Sequence, residues 1–162
     1  MSVGVPVLDD DHRIVLGVLT QLADATRDGE QADVIGSMVI FFCDYVLTHM
    51  RREERLMERL GYPDLMAHRT AHGAFAAWAG EFRRDYEQSP ETPLAADTLA
   101  YPGGWWVDHV NTLDMAYKPF FQAHTADVQD ILDSEDLFEI YGFNDGEPVE
   151  DPVLTASSAH PG

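Results

Sequence analysis

Apolar residues recur at three- and four-residue steps along most of the chain, and no stretch alternates with a period of two, so the pattern predicts helices and no sheet. The first helix is expected to begin among Asp9 to Asp11, acidic residues suited to a helix N-terminus, and to run to about Arg27, where Asp28-Gly29 stops it. A second runs from about Gln31 to Leu60 and is ended by Gly61, with Tyr62-Pro63 beyond. A third runs from about Pro63 to Tyr86. Both connections are short enough to make successive helices antiparallel neighbours. Gln88 to Gly104 holds Pro90, Pro93, Pro102 and the Gly103-Gly104 pair, and reads as a long connection with one helical turn near Leu94 to Tyr101. A fourth helix begins near Trp105; Pro119 should end or kink it near Lys118, with a further helical segment reaching about Leu132. The expected architecture is all-α: an antiparallel up-down-up-down four-helix bundle over residues 1–133, then a C-terminal acidic extension over 134–162 that holds three prolines and no Lys or Arg.

The inward stripes carry more than apolar side chains. On the second helix Met38, Phe42, Tyr45, His49, Glu53, Met57 and Leu60 share one face. The charges around them, Arg51, Arg52, Glu54, Arg55, Glu58 and Arg59, mostly fall on other faces and read as a solvated, ion-paired surface. Glu53 does not fit that description, because an ionised carboxylate in an apolar interior needs a charged partner or a metal. The third helix places His68 and His72 on the face of Phe75, Ala79 and Phe82. The first adds His12 beside Val15, Leu16, Leu19 and Leu22, and the fourth adds His109 and Asp114.

Taken singly, a histidine on an apolar face is more often a hydrogen-bonded core residue than a ligand. Here every helix contributes, and in an up-down-up-down bundle the starts of the first and third helices share an end with the finishes of the second and fourth. All of these residues can therefore meet. Five imidazoles and two carboxylates exceed what one ion needs, and carboxylates can bridge, so two metal ions are implied. The set lacks thiolates, which disfavours a cysteine-rich structural zinc; imidazole with carboxylate suits iron and, less well, manganese or zinc. His109 and Asp114 are five residues apart, about 140° around a regular helix. That spacing calls for a wide π-type turn or for ligands reaching different metals.

Composition narrows the partners. With 162 residues and 45% hydrophobic content the chain suits one well-buried core. Its formal net charge of -19 would repel a phosphate backbone or an anionic membrane, so neither nucleic acid nor membrane is expected. No basic segment followed by an apolar run opens the chain, and no stretch reads as the roughly 18 apolar residues of a membrane span. A cytoplasmic location is expected, and the single Cys43, in an apolar run, reads as a buried, inert thiol.

The ordered pattern of His12, then His49-x3-Glu53, His68-x3-His72 and His109-x4-Asp114 resembles the hemerythrin family, particularly its bacterial single-domain members. The likeness extends over about residues 5 to 120, taking in Asp9 to His12, Glu53-Glu54, Gly61-Tyr62-Pro63 and the Trp105 that precedes His109. The resemblance implies a non-haem di-iron centre with a bridging oxo or hydroxo group. His68, His72 and His109 would hold one iron, His12 and His49 the other, and Glu53 and Asp114 would bridge. It also implies reversible dioxygen binding, for storage, delivery or sensing, at the two-histidine iron, with no substrate turned over.

The alternatives are a di-iron redox enzyme acting on peroxide or nitric oxide, and an oxygen-responsive regulatory module with a protein partner for the acidic tail. A dioxygen pocket needs apolar walls, for which Val15, Met50 and Trp105 are candidates. Thr112, three residues after His109, stands where the family commonly has leucine, and a hydroxyl there predicts faster loss of the oxygenated form. His124 and His160 match no ligand of the family and are expected at the surface or in the tail.

Overall fold

The computed structural model describes residues 2–134. The expected tail beyond them, with His160, lies outside the described residues. Among these residues every regular element is helical: α1 (Pro6–Asp28), α2 (Ala32–Leu60), α3 (Leu65–Gln88), α4 (Ala96–His109), a π-helical stretch (Val110–Asp114), α5 (Met115–Ala123) and α6 (Thr125–Ser134). The first three helices, together with the continuous α4–π–α5 rod, form the four-helix bundle.

The boundaries follow from local chemistry. α1 begins three residues before Asp9, because Pro6 occupies its first turn, where a missing N–H costs nothing. Gly29 and Gly61 end α1 and α2 in the left-handed conformation, at φ 73° and 71°. At Gly61 the Gly61 N–H donates to Glu58 O and the Tyr62 N–H to Met57 O, the paired bonds that turn the chain back sharply.

The proline-based expectations for the fourth helix need correction. It starts at Ala96 rather than near Trp105 and carries Pro102 and Gly103-Gly104 inside it. Pro119 does not break the chain either; α5 runs through it and the break comes at His124. Met115, whose carbonyl loses its donor to that proline, is exposed, so water can serve the freed oxygen.

Two apolar clusters fill the bundle. The larger joins Val15, Leu19 and Leu22 of α1, Val39, Phe42, Val46 and Met50 of α2, Phe75, Ala79 and Phe82 of α3, and Trp106 and Val110 of the fourth rod. The smaller closes the opposite end with Val3, Val5, Leu8, Leu56, Met57, Tyr117, Phe121 and Val128. The N-terminal arm and α6 thus plug the bundle. Between the clusters lies a polar layer.

By length and composition α2 is apolar enough to cross a bilayer, contrary to the sequence-based expectation. Its buried face, however, packs into both clusters and carries His49 and Glu53. Cys43 is buried and its thiol is pushed up to about 12 by burial, as an inert thiol should be.

Candidate metal centre

The polar layer holds His12, His49, Glu53, His68, His72, His109 and Asp114, all buried. They converge from every helix of the bundle. His49 and Glu53 are one turn apart on α2, as are His68 and His72 on α3. His109 and Asp114 meet because the π-helical stretch brings residues five apart onto one face; the regular-helix conflict noted above is resolved by that wide turn. His109 Nε2 lies 3.1 Å from Asp114 Oδ1.

Each carboxylate divides its oxygens between two groups of histidines. Glu53 Oε1 is 3.7 Å from His12 Nε2 and 3.5 Å from His49 Nε2, while its Oε2 is 3.2 Å from His68 Nε2 and 3.5 Å from His72 Nε2. Asp114 Oδ2 is 3.3 Å from His12 Nε2, while its Oδ1 faces His109 and, at 3.6 Å, His68. The donors accordingly form two sets able to hold a cation: Glu53 with His68, His72 and His109, and His12, His49, Glu53 and Asp114. Counting one oxygen of each carboxylate per side, the first side offers three imidazoles and the second two.

The chemistry of these donors fits metal ions. His12 Nε2, His49 Nε2 and both Asp114 oxygens are buried with no hydrogen-bond partner among the described residues, which is costly unless a cation takes their lone pairs. His72 Nε2 and His109 Nε2 face each other at 3.0 Å, where a single proton at most can lie between them. At His49 and His72 the outward nitrogen is already engaged, leaving Nε2 to face the centre: His49 Nδ1 lies 3.2 Å from Asp11 Oδ2 and His72 Nδ1 2.8 Å from Glu54 Oε1.

Residues whose sequence pattern places them at the surface, or gives them no evident role, surround this layer. Arg52 is not solvated: it is 6% exposed and donates to Asp11, which also accepts from Tyr45 Oη at 2.6 Å. Glu54, likewise expected on a solvated face, partners His72 and accepts from Arg69 Nε at 3.2 Å. The Tyr117 hydroxyl donates to Glu53 Oε1. The signal for Asp11, Trp106 and Tyr117 was their spacing, since Asp11 shares a stripe with Val15, Leu19 and Leu22, Trp106 precedes His109 by three, and Tyr117 follows Asp114 by three.

Of the pocket candidates, Val15 and Met50 are buried in the larger cluster. Trp105 stacks on His109 at 4.4 Å between ring centres and on Phe75 at 4.1 Å, so it lies on the three-histidine side. Thr112 is corrected: it is exposed, and its hydroxyl donates to Asp108 O at 2.6 Å. His124 is half-buried, with Nδ1 2.8 Å from Phe120 O, and stands apart from the centre.

Charge balance links the centre to pH. Burial alone would lower His12 and His72, but the carboxylates of Asp114 and Glu53 at His12, and of Glu53 and Glu54 at His72, outweigh it and push both up to about 9. Burial would raise Glu53, yet the surrounding histidines hold it well below the ordinary range. Histidines raised on folding contribute stability that is complete below their unfolded value of 6.5 and lost as pH rises through about 9. The metal-free protein should therefore lose thermal stability from pH 6.5 to 9. Metal must displace these protons, so affinity should rise over the same interval. Calorimetric titration at pH 7 in buffers of different ionisation enthalpy should count at least about two protons released, those of His12 and His72 together with any that water gives up in forming a hydroxo or oxo group. A count of zero would show these imidazoles neutral in the metal-free fold.

Comparison with known proteins agrees with this centre. Residues 3–121 match the family model described as the hemerythrin HHE cation binding domain. The chain is 28% identical over 124 residues to a bacteriohemerythrin of Stenotrophomonas maltophilia, covering 76% of this chain and 79% of that one. It is 30% identical over 112 residues to myohemerythrin-1 of Phascolopsis gouldii, covering 68% and 81%. A crystal structure of wild-type hemerythrin superimposes with a TM-score of 0.66 at 27% identity, covering 71% of this chain and 87% of that one.

Proposed function

Because the chain belongs to the hemerythrin family, whose members bind dioxygen at a di-iron site in a helical bundle, we propose that it binds dioxygen reversibly, for storage, delivery or sensing, and turns over no substrate. The observation that carries this reading is the division of Glu53 and Asp114 between two histidine groups. His68, His72 and His109 would hold one iron and His12 and His49 the other, with Glu53 and Asp114, whose oxygens face both histidine groups, shared between them and an oxo or hydroxo group completing the centre. When bound, the irons supply the electrons that dioxygen takes up and recover them on its release.

The protein's own residues hold and shield that chemistry. Asp11 and Glu54 fix the rings of His49 and His72, and the Tyr117 hydroxyl fixes Glu53. The apolar clusters on either side keep water and protons from the centre, the condition for release of dioxygen rather than oxidation of the metal. Dioxygen enters on the His12 and His49 side, which has fewer protein donors.

Residues 1–133 make up the oxygen-binding bundle and the remainder an acidic extension. The net charge of -19 argues against nucleic-acid and membrane partners and, with the buried Cys43, suits the cytoplasm.

The test is to reduce the iron-loaded protein anaerobically, add dioxygen while recording the visible spectrum, and then remove the gas. A charge-transfer band that appears and disappears is expected. Prompt, irreversible oxidation would overturn reversible binding in favour of redox chemistry, and a protein that takes up no iron would overturn the centre itself.

A further inference from the structure

Trp106 has no part in the ligand set, yet it is placed as if it had one. Its side chain is 1% exposed, and its indole N–H finds no acceptor among the described residues. Burying such a donor unpaired carries a desolvation cost that folded chains nearly always remove. The ring lies against two of the five central histidines: its centre is 5.1 Å from that of His49 and 6.0 Å from that of His12, tilted by 57° and 73°. Those are the two histidines of the side with fewer protein donors. On the opposite side the corresponding aromatic, Trp105, lies flat on His109 at 16° and is only half-buried.

We propose that the indole N–H of Trp106 is the hydrogen-bond donor for the small exogenous ligand that binds at the His12 and His49 side. The ring supplies an apolar wall, and the N–H supplies a polar contact preformed and held dry before the ligand arrives. A ligand that carries a lone pair beyond its metal-facing atom, such as azide, fills both requirements. Trp106 is thus a specificity-determining residue for linear or bent acceptors of two or three atoms. The inference rests on the di-iron reading above.

The first test uses the native, iron-loaded, oxidised protein with azide as the probe. The ultraviolet resonance Raman signature of an indole N–H moves when the group gains an acceptor, and azide should move one of the protein's three tryptophans. The second test is Trp106→Phe, which keeps an aromatic wall and removes the donor. The azide dissociation constant, followed in the visible band, should rise about tenfold, and the Raman change should vanish. Trp106→Leu should weaken azide by a similar factor, because it loses the same donor. Azide that binds with no change at any indole overturns the proposal, as does native affinity in an iron-loaded Trp106→Phe protein. A native chain that takes up neither iron nor azide would instead overturn the di-iron reading, so the two failures are distinguishable.

Discussion

Glu53→Gln should reduce bound iron from two ions per chain to one at most, with affinity falling by at least about a hundredfold, the upper end of what losing an outer partner alone costs. Glutamine keeps the shape of the side chain and removes one acceptor oxygen, and the amide nitrogen put in its place cannot ligate. Glu53 uses both oxygens, Oε1 toward His12 and His49 and Oε2 toward His68 and His72, so whichever way the amide turns, one side loses its donor. The substitution should also leave a mark that does not depend on iron. Glu53 is among the carboxylates that raise His12 and His72, so without its charge both should fall back toward their ordinary value. The decline in metal-free stability between pH 6.5 and 9 should then flatten. Iron analysis and melting curves across that range check the two effects separately. Two irons at native affinity in the variant would remove Glu53 from the bridge.

The seven residues of the polar layer were legible because each obeys the same periodicity as the core around it. His68 and His72 share a face with Phe75, Ala79 and Phe82, and the structure buries all five. The irregular spacing of His109 and Asp114 left two readings open, a π-type turn or ligands reaching different metals, and the π-helical stretch is what is found. The fourth helix was misjudged for a different reason. Pro102 and Pro119 are strong local signals against a helix, and tertiary packing of Trp106, Val110 and Tyr117 overrides them.

The outer residues were hidden by their charge. Asp11 lies on the inward stripe of α1 but follows Asp9 and Asp10, so it reads as part of an acidic helix start. Arg52 is surrounded by surface charges in sequence and reads as one of them. Only the fold shows that each satisfies the other, because their helices are neighbours at that level. Trp106 was passed over because a large aromatic at helical spacing is ordinary core. That its N–H finds no acceptor among the described residues becomes visible only in the fold.

Asp11→Ala should lower the unfolding free energy by about 3 kcal/mol, the low end for removing one partner of a buried ion pair. It should also weaken metal binding on the His12 and His49 side by about 10- to 100-fold. The carboxylate accepts from the Arg52 guanidinium, from Tyr45 and from His49 Nδ1, so one residue ties α1 to α2 and orients a metal-facing imidazole. Burial would raise its pKa, but the hydrogen bonds and charges of His49, Tyr45 and Arg52 lower it below the ordinary value. A carboxylate depressed on folding contributes stability that is present above its unfolded pKa of about 3.9. That contribution is lost as pH falls through the folded value. The stability gap between native protein and Asp11→Ala should therefore be full at pH 7 and shrink in acid below about pH 4. Glu54→Ala removes the equivalent contact at His72 from a half-buried position, shared with the partly exposed Arg69, and should cost under about 1 kcal/mol. If the two variants were equally stable, the buried Asp11 to Arg52 pair would have no special weight in the fold, and orienting His49 would be the whole of its role.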